Sequence, residues 1–222
     1  MTGFWRQAYE IARKDLRNEF RSGEVLMITI PFGAVAMMIV PLAVGTDAAL
    51  LRTIGPGIYW SIILLFGVLI SVRQSADENR SQRDLLALLG IDPAARFAGG
   101  AIANALLLLI FEAVLAPVAI ALYDIKLEGW LWLLPLVPLV AAGLGLLGTL
   151  ASGIAGSIAT STLVPLIVVP LSVPMVLAAS QIVEGLQIDA TIVGWFLLLV
   201  VMDLLLAVIG VVSAGPLQEA AE

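Results

Sequence analysis

The chain has 222 residues, 61% of them apolar, and a mean hydropathy of +1.07, whereas apolar residues make up roughly half of a soluble domain. This excludes a water-soluble protein and defines an integral membrane one. Its net charge of −6 is modest and says little about partners, of which no nucleic acid is expected, and the lack of cysteine and histidine excludes disulfides, cysteine-ligated metal and the residue most used as a general base or haem ligand.

Residues 1–24 read as an amphipathic helix lying in a membrane surface. At helical spacing Trp5, Ala8, Tyr9, Ala12, Leu16 and Phe20 share one face, and Arg6, Glu10, Arg13, Lys14, Arg17 and Arg21 share another. Glu19 falls among the apolar positions and weakens the pattern, and the competing reading is a solvated charged leader. Charges spread over 24 residues before a span of full length predict a retained anchor and no cleaved secretory leader.

Six apolar runs follow, over 25–45, 54–72, 97–123, 130–153, 163–183 and 190–213. Each is long enough for a hydrocarbon core that needs about 20 apolar residues. Their apolar residues are continuous where a barrel's would alternate, so the backbone must satisfy itself within helices. The expected fold class is all-α integral membrane, with six transmembrane helices over 25–213 and a tail over 214–222. Arg6, Arg13, Lys14, Arg17, Arg21, Arg73, Arg80, Arg83 and Arg96 fall on one side, against Arg52 and Lys126 on the other. That imbalance predicts a cytoplasmic N-terminus and a cytoplasmic loop over 73–96. Six spans return the tail to the cytoplasm, although it carries no basic residue to support this independently.

The loop over 73–96, RQSADENRSQRDLLALLGIDPAAR, is the one long charged segment between spans. Ser75-x-x-Glu78 has the form of a capping box, Arg80 and Asp84 form an i,i+4 pair, and Gly90 and Pro93 are stop signals. These predict a short helix over 76–89, polar first and then apolar at Leu85, Leu86, Leu88 and Leu89. It reads either as a partner-docking element or as a capped connector.

Glu112 in the third span and Asp203 in the sixth lie deep in apolar sequence. A charge there costs at least about 2.5 kcal/mol, which makes each a candidate for a transport role. The alternative is a hydrogen bond to Asn104 or to a Ser or Thr of a neighbouring helix. The fourth span ends in small residues, Gly145, Gly148, Ser152, Gly156 and Thr160, which permit close helix approach either within the chain or at a homodimer seam. Pro165, Pro170 and Pro174 interrupt the fifth span and predict a kinked or broken helix, a candidate gating element. Pro117, Pro135 and Pro138 read as packing kinks, and Trp130, Trp132 and Trp195 as interfacial anchors.

Several chemistries have no residues to support them. A phosphate-binding GxxxxGK[ST] loop needs lysine after glycine, but Lys14 follows Arg13 and Lys126 follows Ile125. Neither HExxH nor GxSxG occurs, so no enzyme activity or metal is expected of this chain itself. No strong inverted repeat is evident, which disfavours a self-sufficient transporter and leaves a membrane subunit driven from the cytoplasm.

Five segments carry a resemblance to a known family: DLRNEFRSGE, LLRTIGPGIYW, the loop ending LLALLGIDP, LGLLGTLASGIAGSI and LIVVPLSVPMVLAAS. In order and spacing they resemble the haem exporter protein B family, the membrane subunit of cytochrome c maturation, through nearly the whole chain. PGIxW and VPLSVPM are the specific elements. The resemblance implies a six-helix ABC-2-type permease subunit in the bacterial inner membrane. Its implied partners are a cytoplasmic ABC ATPase, a second copy of itself, haem-handling membrane proteins and a haem chaperone. ATP would then bind the ATPase and haem the partner proteins, with no cofactor on this chain. The complex would either export haem or release the loaded chaperone; a chain without histidine or cysteine is a poor haem ligand, which favours release.

Carried over by position, the loop helix with Asp77, Glu78, Arg80, Arg83, Asp84, Leu85 and Leu88 would be the coupling helix that docks on the ATPase. The turn over 159–162 departs from the family in lacking a basic pair, and Glu112 and Asp203 match no family motif. Two other readings stay open: a self-sufficient proton-coupled transporter using those two acids, and an ABC-2 permease for another cargo.

Overall fold

A computed structural model describes residues 3–45, 47–77, 90–125, 129–157, 163–188 and 190–219. Among the described residues every regular element is helical. The helices are α1 (Phe4–Ser22), α2 (Glu24–Val44), α3 (Ala48–Asp77), α4 (Pro93–Tyr123), α5 (Leu133–Ser157), α6 (Leu163–Gln187) and α7 (Val193–Glu219), with one 3₁₀ turn at Trp130–Trp132 before α5. Helices α2 to α7 are the six long and apolar enough to cross a membrane. The chain is an all-α integral membrane protein.

Local chemistry sets where the helices begin and end. Gly23, with φ of 65°, closes α1 by donating its N–H to the Glu19 carbonyl at 2.6 Å, and α2 starts at once. A left-handed residue at this position is the usual glycine stop. Asp47 accepts from the N–H groups of Ala49 and Leu50 at 3.0 and 3.3 Å, and so starts α3 ahead of the apolar run that begins near residue 54. Asp92 accepts from Ala94 N–H at 3.0 Å, with Pro93 as the first helical residue. Pro93 therefore opens a helix, because its missing N–H lies where no intrahelical acceptor is available.

The loop between the second and third spans corrects one expectation. Ser75 is not an N-cap, because α3 continues through Asp77. The helix outlasts its apolar stretch, since polar residues can extend a helix already nucleated inside the membrane. The remainder of the expected loop helix, 78–89, lies outside the described residues.

At the centre stands α5, which packs on α3, α4, α6 and α7. Helices α3 and α5 are the most enclosed spans, and α2 and α7 the least. The interior is filled by Met37, Trp60, Leu107, Phe111, Tyr123, Leu147 and Met175, all almost completely buried. Two phenols cross between helices with their hydroxyls satisfied. Tyr123 donates to the Met37 carbonyl at 2.8 Å and Tyr59 to the Glu112 carbonyl at 2.9 Å. Met27, Phe32, Leu65, Leu197 and Val212 are exposed, as lipid-facing residues are.

Candidate functional site

The small residues of α5 let it approach α4 and α3 closely. A Cβ on Gly145 would stand 2.7 Å from the Ala105 nitrogen of α4, and one on Gly148 would stand 2.9 Å from the Ser71 Cβ of α3. Polar side chains follow the same two contacts. Asn104 Nδ2 donates to Thr149 Oγ1 at 2.9 Å, Thr149 Oγ1 donates to the Gly145 carbonyl at 2.8 Å, and Ser152 Oγ donates to the Ser71 carbonyl at 3.3 Å. Gly145, Gly148 and Ser152 thus face α4 and α3 of their own chain. Gly156 lies one turn further along α5, and Thr160 is outside the described residues.

On another side of α5, Gly143 faces Met175 of α6 and the carboxyl of Asp203 of α7, both of which occupy the space a Cβ would take. Asp203 stands out in the sequence, whereas Gly143 and Met175 do not. The only available signal was that Gly143 opens the small-residue stripe near the middle of its span. Asp203 is 9% exposed, and neither carboxyl oxygen has a hydrogen-bond partner among the described residues. Glu112, on α4, is fully buried, and its oxygens are equally without hydrogen-bond partners among the described residues. Asn104 is bonded to Thr149 and serves neither acid. The two acids face different neighbours, with Tyr59 of α3 reaching the Glu112 backbone and Gly143 of α5 against Asp203.

Of the kink or break expected in the fifth span, a break is not present. Helix α6 runs continuously from Leu163 to Gln187 through Pro170 and Pro174. Pro165 falls in its first turn, where an N–H has no intrahelical acceptor to lose. Pro170 and Pro174 each remove one backbone bond, leaving the carbonyls of Leu166 and Pro170 without their usual donor. Their spacing of four residues confines both losses to one side, and the rest of the ladder keeps the helix intact. Met175, beside Pro174, carries this part of α6 into the Gly143–Asp203 contact.

Of the loop residues, Asp77 ends α3, whereas Glu78, Arg80, Arg83, Asp84, Leu85 and Leu88 lie outside the described residues, as does the turn over 159–162. The returning end of the loop is placed firmly. Gly90 has φ of 68°, Asp92 caps α4, and Asp92 N–H donates to Gln7 Oε1 of α1 at 3.1 Å. Helix α1 itself is pressed on α4. A Cβ on Gly99 would be 2.7 Å from the Ala8 carbonyl oxygen and 2.8 Å from the Ile11 Cβ. Glu19, out of place in the amphipathic pattern, accepts from Leu26 N–H at 3.2 Å, and so caps the start of α2. Among the described residues no group of three or more acids offers a metal site.

A six-span helical bundle with an amphipathic N-terminal helix packed beside the return of its one long charged loop defines a polytopic membrane protein of the α-helical class. Its sequence narrows this further. The chain belongs to the CcmB protein family, whose sequence model matches residues 6–217. It is similar to heme exporter protein B of Haemophilus influenzae, with 28% identity over 218 residues that cover 96% of this chain and 95% of that protein. It is also similar to heme exporter protein B of Rhodobacter capsulatus, with 29% identity over 182 residues covering 79% of this chain and 84% of that protein.

Proposed function

We propose that this chain is the membrane subunit of an ATP-driven complex in c-type cytochrome biogenesis, coupling hydrolysis by a separate cytoplasmic ATPase to haem export or to release of a haem-loaded chaperone. The observation that carries this is family membership over nearly the full length, to which the name of both relatives, heme exporter protein B, adds haem export. The six-span bundle and the lack of a phosphate-binding lysine motif agree with a subunit that takes its energy from a partner. In this reading the protein sits in the bacterial inner membrane with its N-terminus and the 73–96 loop in the cytoplasm. The loop docks on the ATPase, and a second copy of the chain and haem-handling proteins complete the assembly. ATP and haem belong to those partners.

Purification in mild detergent tests the docking. The wild-type chain should bring down an ATPase together with haem-handling proteins, and replacing Arg80 and Arg83 with Glu should reduce ATPase recovery severalfold while the chain stays inserted. Undiminished recovery would overturn the assignment of the loop.

The unpartnered carboxyls of Glu112 and Asp203 favour one other reading, a proton-coupled carrier. It requires that Glu112→Gln or Asp203→Asn abolish activity and that collapse of the proton gradient do the same without any ATPase. In the ATP-driven reading, cytochrome maturation in cells carrying either variant stays within about twofold of wild type, since a neutral amide is nearly isosteric with the acid and no ion pair is lost.

A further inference from the structure

Helix α1 presents three distinct sides. Ala8 and Ala12 are buried against the bundle, with Phe4, Ile11, Asp15 and Glu19 half-buried beside them. About 90° round the helix runs an exposed stripe of Trp5, Tyr9 and Phe20, with Leu16 half-buried among them. About 70° further round come Arg6, Arg13 and Arg17, all exposed, with Arg21 and Lys14 beyond. Gln7, which accepts from Asp92, lies on the side opposite the aromatic stripe. This order lets the helix lie flat with aromatics in the membrane, arginines along its outer edge and Gln7 toward the charged loop.

The acids of α1 sharpen the contrast. Asp15 pairs with Lys14 at 3.2 Å, and Glu19 turns inward to cap α2. Glu10 is the one exposed acid, against the exposed Arg6, Arg13, Arg17 and Arg21, for which no ion pair is found among the described residues. A row of arginines beside a Trp–Tyr–Phe stripe matches a surface that is apolar below and negatively charged at its rim. An anionic phospholipid leaflet has that profile, whereas a zwitterionic one supplies only the apolar part.

We propose that α1 is an anionic-phospholipid-binding surface, in which Trp5, Tyr9 and Phe20 enter the acyl boundary and Arg6, Arg13 and Arg17 hold headgroup phosphates. The close Gly99–Ala8 contact fixes the helix on α4, so lipid binds a preformed surface. Because Gln7 holds the backbone of Asp92, bound lipid also steadies the returning end of the charged loop.

Titration of the detergent-purified chain with phosphatidylglycerol or with phosphatidylcholine, with adducts counted by native mass spectrometry, tests this. Phosphatidylglycerol should bind more tightly, and raising the salt from about 0.1 to 0.5 M should weaken it while leaving phosphatidylcholine unchanged. The variant R6Q/R13Q/R17Q should lose about tenfold or more in phosphatidylglycerol affinity and none in phosphatidylcholine affinity. W5A/Y9A should weaken both lipids alike. Equal, salt-insensitive binding of the two lipids by the wild-type chain overturns the proposal, as does a triple variant that keeps its preference. The wild-type comparison decides the matter even if the triple variant cannot be produced. None of these readings involves the ATPase, so failure of the docking assignment leaves them intact.

Discussion

Tyr123 shows how a single polar atom is accommodated inside this bundle. Its ring packs against Gly55 of α3, and its hydroxyl reaches the Met37 carbonyl of α2. Tyr123→Phe removes one buried hydrogen bond and should destabilise the fold by about 1 kcal/mol, seen as a lowered thermal midpoint in detergent. Gly145→Leu should cost more, about 1–3 kcal/mol, since its side chain meets the Ala105 backbone, which cannot rotate away. Glu112→Leu should be neutral or stabilising by the same assay, because both oxygens it removes lack partners. At this scale the sequence was readable only in part. It marked Glu112 and Asp203 as costly, but Gly143 and Met175 come to Asp203 from other helices, and no local spacing encodes that meeting. Glu19 appeared as a flaw in an amphipathic stripe for the same reason, since its partner is the next helix.

The elements were more legible than their ends. Six apolar runs gave six spans because hydrocarbon leaves the backbone no other solution. The ends were set by short polar residues and by helix cooperativity, which carried α3 back to Ala48 under the Asp47 cap and forward to Asp77 through Ser75. Helix α6 was expected to kink or break and runs unbroken, because two missing donors are few against the length of its ladder. Replacing Pro170 with Ala returns a donor to the Leu166 carbonyl and should raise the thermal midpoint, by up to about 3 kcal/mol of helix stability. If the weakened ladder serves motion in an ATP-driven cycle, the same variant lowers cytochrome maturation in cells despite its higher stability. Unchanged maturation would remove gating from the roles of α6.

At the scale of the whole molecule, enclosure is uneven. Helix α5 is surrounded, while α2 and α7 present apolar side chains outward. Leu197 and Val212 of α7 are exposed, so an arginine at Leu197 should reduce membrane insertion, at a cost of at least about 2.5 kcal/mol if lipid covers that face. Full insertion and activity of Leu197→Arg would mean that a partner or water covers it. The family was legible because its specific segments are spread along the chain, and the match over residues 6–217 takes in all of them. The proposed docking of the loop rests on resemblance alone, because the surface it would belong to is one that only a partner completes.

The ends of α3 and α4 away from the charged loop are fastened to each other and to α2. Tyr123 binds the Met37 carbonyl, Gly55 receives the Tyr123 ring, and Arg52 Nε donates to Asp124 at 2.8 Å. The exposed ion pair adds little by itself, so the buried tyrosine carries most of the hold. From Arg52 to Asp77, α3 is roughly 37 Å long, and a tilt of about 5° about the fastened end displaces the other by about 3 Å. Under the proposed docking, a load on the loop would act on α3 as on a lever, against the contact of Ser71 with Gly148 and Ser152 of α5.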